Sequence, residues 1–319
     1  MTAFADRLFA AVDRVHNPTV LGLDPKLDFV PASIRERAVR AFSDPAQATA
    51  EALLEFNRRL IDALSDLVAV VKPQFAYYEM LGPHGVRCLA DTIRHAKDRG
   101  MVVIADAKRN DIGPTAEAYA RSILGETDLV DGTKHAFLDA DAVTLNAYLG
   151  IDGVEPFLSV CDRLGKGVFL LVRTSNPSAV DFQDLTLADG RLLYEAVAAK
   201  VTGWGATRIA SCGYSSVGAV VGATWPEQAR TLRRLMPTAP ILVPGYGAQG
   251  ATADDAAANF DAQGRGAVVN ASRSLMCAYN LKYHEGRLTA EDFESAARTE
   301  AARMRDDLTA AIGRKRTDA

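Results

Sequence analysis

Eight short apolar runs alternating with helical patterns predict a single closed (β/α)8 barrel over residues 1–319, opened by one extra helix and closed by another. Three observations carry this. The runs have strand length and many β-branched residues, so they read as strands buried on both faces. Segments long enough for a crossover helix separate them, which implies parallel pairing. No glycine-rich turn follows the first strand, where an open doubly wound sheet, the alternative, usually carries one.

In chain order, residues 3–15 pattern as an amphipathic helix with Phe4, Leu8 and Val12 at four-residue spacing. The first strand covers 19–25, with Asp24 at its tip. Asp44-Pro45 reads as a cap followed by a first-turn proline, and Leu53, Phe56, Leu60 and Leu64 share one side of the helix it opens. The second strand covers 67–73 and puts Lys72 on the face of Val68 and Val70. A helix to about residue 100 leads to the third strand at 102–109. After Gly113-Pro114 a helix opens at Thr115 and ends near 124. Strands at 141–146, 167–175, 216–224, 240–244 and 265–270 follow, with helices at 153–165, at 191–203 and from Pro226. Residues 289–312 form the closing helix. The connections near 126–140 and 176–191 are the candidates for mobile segments, and the second is long enough for a lid.

Composition narrows the function classes. A formal net charge of −4 argues against a nucleic-acid partner. No apolar stretch reaches the roughly 18 residues of a membrane span, and Asp6 and Asp13 interrupt the only run that resembles a leader. The four cysteines form no Cys-x-x-Cys pair, which fits reduced thiols and a cytoplasmic location. The five histidines show no ligand spacing, so no metal is expected. Phosphate-loop, dinucleotide and Gly-x-Ser-x-Gly signatures do not occur.

Chemistry concentrates at the predicted strand ends, which a barrel gathers on one rim. The third strand ends in Asp106-Ala107-Lys108-Arg109-Asn110-Asp111, with Asp106 and Lys108 on the face of Val102 and Ile104. Buried charges of this kind cost desolvation free energy unless they pair or react. Lys72 and Asp24 arrive from the neighbouring strands, and Thr174, Ser175 and Asn176 from the fifth. Gly245-Tyr246-Gly247-Ala248-Gln249-Gly250 follows the seventh, and Ser272-Arg273-Ser274 the eighth. Each has a bland reading: a snorkelling lysine, a turn aspartate or serine, a tight glycine loop, a solvated arginine. However, a cation at a helix start opposes the helix dipole, and an anion between Arg273 and the helix would relieve this. A glycine-rich loop plus Arg273 after strands seven and eight is where barrels often hold phosphate.

With these residues in view, the chain resembles the orotidine 5′-phosphate decarboxylase family, in particular its bacterial subgroup carrying Asp-Ala-Lys-Arg-x-Asp-Ile-Gly. The resemblance runs from Gly22-Leu23-Asp24-Pro25 through Val71-Lys72-Pro73-Gln74 to Asn270-Ala271-Ser272-Arg273-Ser274. It implies a cofactor-independent barrel, usually a homodimer, that makes UMP from orotidine 5′-monophosphate. By this resemblance Lys108 protonates the pyrimidine carbon, Asp106 flanks the scissile carboxylate, and Lys72 holds the array and the ribose. Asp24 contacts the ribose, Ser175 reads the pyrimidine, and Gln249, Gly247 and Arg273 grip phosphate. Asp111 and Thr115 are lent by the partner subunit. Two positions depart from the pattern: Asn110 replaces a frequent glycine, and Tyr246 is bulky for a phosphate loop. Two rivals remain at this stage. One is a Mg²⁺-dependent sugar-phosphate decarboxylase or aldolase of the same superfamily, in which Lys72 would repel the cation. The other is a noncatalytic nucleotide-binding protein, for which four charges in a pocket would serve no purpose.

Overall fold

Side-chain alternation along short strands sets the architecture, seen in a computed structural model that describes residues 2–247, 250–281 and 286–317. The strands are β1 (Thr19–Leu23), β2 (Val70–Pro73), β3 (Val102–Arg109), β4 (Ala142–Leu145), β5 (Gly167–Arg173), β6 (Val217–Val221), β7 (Ile241–Val243) and β8 (Ala267–Ala271). All are parallel, each lies beside its neighbour in sequence, and β8 closes on β1 with Thr19 opposite Val269. Val20, Val70, Ile104, Phe169, Leu242 and Val268 fill the barrel interior. The alternate residues Leu21, Val71, Val103, Leu170, Val243 and Val269 join the outer core beneath the helices. The predicted (β/α)8 barrel is therefore observed, and the period of two decides which residues enter its lumen.

The outer layer contains α2 (Ala32–Ala41), α3 (Pro45–Leu64), α4 (Gly82–Asp98), α5 (Gly113–Leu124), α6 (Glu155–Leu164), α7 (Leu193–Gly205), α8 (Pro226–Leu235) and α9 (Phe293–Thr317), after the N-terminal α1 (Phe4–Val15). Asp44 caps α3 by accepting the Ala46 N–H at 3.0 Å, as its sequence predicts. Helix α9 docks on α3 through Phe293 against Phe56, with ring centroids 4.9 Å apart, and through a two-pronged Arg59–Glu294 pair. Among the described residues, no helix is long and apolar enough to cross a membrane.

Helix α1 closes the lower mouth of the barrel. Phe4, Leu8 and Phe9 belong to the interior cluster, and the Phe4 ring stands edge-on to Phe169 at 5.9 Å. Arg7 secures the helix by donating to the Gly165 carbonyl and to Asp141, each at 2.7 Å. The other Asp141 oxygen accepts the Val103 N–H at 2.9 Å, so plug and barrel share one carboxylate.

Several boundaries differ from the sequence reading, for local reasons. β2 begins at Val70 rather than 67, because the Leu67 and Val68 N–H groups finish the last turn of α3 on the Leu64 carbonyl. α5 starts at Gly113 rather than Thr115, since Pro114 suits a first turn whose N–H has no partner. Helix α2 escaped notice because only Ile34 and Ala38 of its ten residues are buried. The 126–140 connection contains a two-stranded antiparallel ribbon, Thr127–Asp128 with Lys134–His135. The 176–191 connection carries a short 3-10 turn, Pro177–Asp181.

The plug supplies a stability test. Phe4→Ala removes a fully buried ring from the barrel floor and should lower unfolding free energy by roughly 3–5 kcal/mol. Urea titration checks this as a lower midpoint at an unchanged slope.

Candidate active site

With α1 filling the lower mouth, the open space lies at the carboxyl ends of the strands. A cavity of about 640 Å³ there is lined by Asp24, Lys72, Asp106, Lys108, Thr144, Ser175, Asn270 and Arg273, among others. The inward alternation continues into it: Val70 is followed by Lys72, Ile104 by Asp106, and Ala142 by Thr144.

Asp106 is the centre of the array. One oxygen accepts from Lys72 Nζ at 2.6 Å and from Gln74 Nε2 at 3.0 Å. The other accepts from Lys108 Nζ at 2.6 Å and from the Thr144 hydroxyl at 2.9 Å. Burial alone would raise the Asp106 pKa, but the Lys72 and Lys108 charges outweigh it and hold the carboxyl well below the usual carboxylate range. Burial likewise opposes the Lys72 ammonium, while Asp106 and then Asp24 overcome it and hold its pKa above the usual lysine value. The two groups therefore stabilise the fold over different limits. The Asp106 contribution is complete above about pH 4 and is lost as pH falls toward its depressed value. The Lys72 contribution is complete below about pH 10 and is lost as pH rises through its elevated value.

The two lysines differ in access. The Lys72 side chain is 5% exposed, whereas that of Lys108 is 45% exposed. Lys72 is thus sealed behind Asp106, and Lys108 presents its ammonium to the cavity. Lys108 also has φ +49°, in the left-handed region that a non-glycine residue occupies at a cost of roughly 1–3 kcal/mol.

The remaining sequence-predicted residues fall into three groups. Asp24, Ser175 and Arg273 line the same cavity as the array. Asp24 Oδ1 and Asn270 Oδ1 are buried with no protein partner among the described residues. Arg273 begins the short helix Arg273–Met276 at the rim and forms no ion pair among the described residues. The phosphate-loop reading is only partly described: Gly245 lines the cavity, Gly247 sits beside it in a turn with φ +70°, and Gln249 lies outside the described residues. Tyr246 also contributes to the cavity lining, while its hydroxyl donates to Asp307 of α9 at 2.7 Å. Asp111 and Thr115 do not join the array within one chain. Asp111 caps the Ile112 N–H at 2.8 Å, and Thr115 is exposed on the first turn of α5.

Sequence reasoning overlooked Gln74, Thr144 and Asn270, although alternation from Val70, Ala142 and Val268 would have placed all three in the lumen. It also missed Arg173. This fully buried side chain lies over the Trp225 ring at 4.3 Å and reaches Gln183 at 3.3 Å and Asp184 at 3.1 Å. Gln183 also accepts the Thr174 N–H at 2.9 Å, which ties the 176–191 connection to the strand end that carries Ser175. Gly222 backs this arrangement, since a Cβ there would come within 2.8 Å of Ser175.

An accessible lysine, a carboxylate held well below the usual range and a rim arginine share one lumen at the carboxyl end of a (β/α)8 barrel, where enzymes of this fold carry their active sites. Comparison with known proteins makes this specific. The chain belongs to the orotidine 5'-phosphate decarboxylase / HUMPS family, whose model matches residues 27–283. The orotidine 5'-phosphate decarboxylase of Rhodopirellula baltica is 43% identical over 308 residues, covering 97% of this chain and 99% of that one. The structure of Leishmania donovani OMP decarboxylase is 30% identical with a TM-score of 0.73, covering 98% of this chain and 100% of that one. Leishmania donovani UMP synthase is 32% identical with a TM-score of 0.75; the match covers 98% of this chain but 57% of the synthase.

Asp106→Ala should destabilise the protein by roughly 3–5 kcal/mol, because it leaves the Lys72 ammonium buried without its main counter-charge. Lys72→Met with Asp106→Leu should recover part of that loss. Urea midpoints of the two variants decide it, and a double variant no more stable than Asp106→Ala would count against the pairing argument.

Proposed function

We propose that the chain decarboxylates orotidine 5′-monophosphate to UMP and carbon dioxide, the last step of de novo UMP synthesis. The single observation that carries this reading is the Lys72–Asp106–Lys108 array inside the cavity. In the reaction the bond from the ring to the carboxylate breaks, the electron pair stays on the ring carbon, and a proton then replaces carbon dioxide. Lys108 supplies both the counter-charge and the proton, which its accessible ammonium supports. Asp106 stands beside the scissile carboxylate and, held ionised by its donors, pairs with the Lys108 side chain at 2.6 Å. Lys72 fixes Asp106 and, with Asp24, holds the ribose hydroxyls; the place of Asp24 on the cavity wall supports that role. Ser175 reads the pyrimidine. Arg273, Gly247 and Gln249 grip the phosphate, and the rim position of Arg273 fits this. Binding energy from that remote grip would be spent on ordering the site around the reacting carbon.

The Mg²⁺-dependent rival fares poorly on geometry. The Lys72 ammonium bonds to Asp106 and lies in the field of Asp24, where a divalent cation would otherwise find its carboxylates. We further propose a homodimer with shared active sites, in which Asp111 and Thr115 reach the other subunit's cavity. Their absence from their own cavity and the 53% exposure of Ile112 beside them support it. The cytoplasm is the proposed compartment, and the four unpaired cysteines fit it.

The direct test is spectrophotometric loss of orotidine 5′-monophosphate. Turnover should occur, and should survive exhaustive chelation with EDTA. A requirement for added Mg²⁺ would favour the sugar-phosphate rival, and binding without turnover the noncatalytic one.

Subunit sharing is tested by complementation. Lys108→Ala and Asp111→Asn should each be inactive. In a mixed dimer one site inherits both defects and the other neither, so random subunit exchange should restore about one quarter of wild-type activity. No recovery despite confirmed exchange would reject shared sites and leave the decarboxylase reading standing.

A further inference from the structure

Lys108 holds its left-handed backbone at an irregularity in the barrel wall. Between the pairings Ala105↔Val143 and Arg109↔Leu145, strand β3 advances farther than β4, so residues 106–108 bulge. Thr144 is the β4 residue facing that bulge. Its hydroxyl accepts the Lys108 N–H at 3.0 Å and donates to Asp106 Oδ1 at 2.9 Å. The Lys108 ammonium reaches the same oxygen at 2.6 Å. One hydroxyl thus closes a ring running from the Lys108 backbone through Thr144 to Asp106 and back along the Lys108 side chain.

We propose that Thr144 is a positioning residue that locks the left-handed turn at Lys108 and so aims its ammonium at the reacting carbon. The proposal rests on the decarboxylase reading for its kinetic consequences but not for its geometry. Thr144 is 1% exposed, so solvent cannot readily replace its hydroxyl. The ring needs an atom that accepts and donates at once, which among residues of this size the serine and threonine hydroxyls provide, and a thiol only weakly. Valine keeps the shape but strands the Lys108 N–H and removes a donor from Asp106. With that bond lost, the backbone would relax to ordinary φ and carry the ammonium away. A displacement near 1 Å at a reacting group lowers rate by about 10²-fold.

The experiment compares wild type, Thr144→Val, Thr144→Ser and Thr144→Ala, the last serving if valine prevents folding. Thr144→Val should lower kcat about 10²-fold while KM for orotidine 5′-monophosphate and UMP affinity stay close to wild type and Tm falls by only a few degrees, the cost of the stranded N–H. Thr144→Ser should restore kcat to within a few-fold of wild type. Crystal structures should show Lys108 leaving the left-handed region in the valine or alanine variant and keeping it in the serine variant. Wild-type kcat in Thr144→Val, parallel loss of kcat, UMP affinity and Tm, or failure of serine to rescue would each overturn the proposal. If wild type fails to turn over the substrate, the decarboxylase reading falls. The crystal structures then decide this proposal alone, and an unchanged Lys108 φ in the valine variant overturns it.

Discussion

The Asp106 carboxylate receives two donors on each oxygen, and those donors come from three adjacent strands: Lys72 and Gln74 at the end of β2, Lys108 on β3 and Thr144 on β4. The Lys72 and Lys108 charges among these donors hold the carboxyl well below the usual carboxylate range, so it is a negative charge at ordinary pH. That fixed charge makes a buried lysine tolerable at Lys72 and holds the Lys108 ammonium over the cavity. Desolvating so many charges opposes folding, which the large apolar barrel and its helical shell offset.

The barrel assigns its two ends opposite tasks. At the lower mouth α1 seals the lumen with Phe4 edge-on to Phe169 and with Leu8 in the same apolar cluster. Above that apolar layer the same inward positions become charged or hydroxylated, so the array stands on a low-dielectric floor where its electrostatics are stronger than in water. Gly22 shows how tightly the upper layer is fitted: a Cβ there would lie 2.0 Å from the Ser272 hydroxyl oxygen. The rim is also tied outward. Tyr246 connects the loop after β7 to α9, and Arg173 connects the end of β5 to the 176–191 connection.

Much of this was legible in the chain. Period-two apolar runs specified the lumen-facing set, and the spacing in Asp106-Ala107-Lys108 put both charges on the lumen side of β3. Asp44-Pro45 announced the start of α3 because capping is a local property. Lys72 could be read as a paired interior charge from its apolar approach, and it is buried against Asp106.

Other features depend on groups distant in sequence, and only the tertiary structure decided them. The sequence by itself determined the barrel, its closing helices and the identity of the charged strand tips, because periodicity, caps and breakers act over a few residues. Which lysine is sealed and which is accessible required the register of β2 against β3, since both reach one carboxylate from opposite sides. The turn of Tyr246 toward Asp307 depends on where α9 packs, 61 residues along the chain. The bulge at Lys108 follows from unequal advance of β3 and β4, which no single strand records. Threonine 38 residues beyond Asp106 becomes its hydrogen-bond partner only when crossover α5 brings β4 alongside β3, because a short-range directional bond exists only once folding has made distant atoms neighbours.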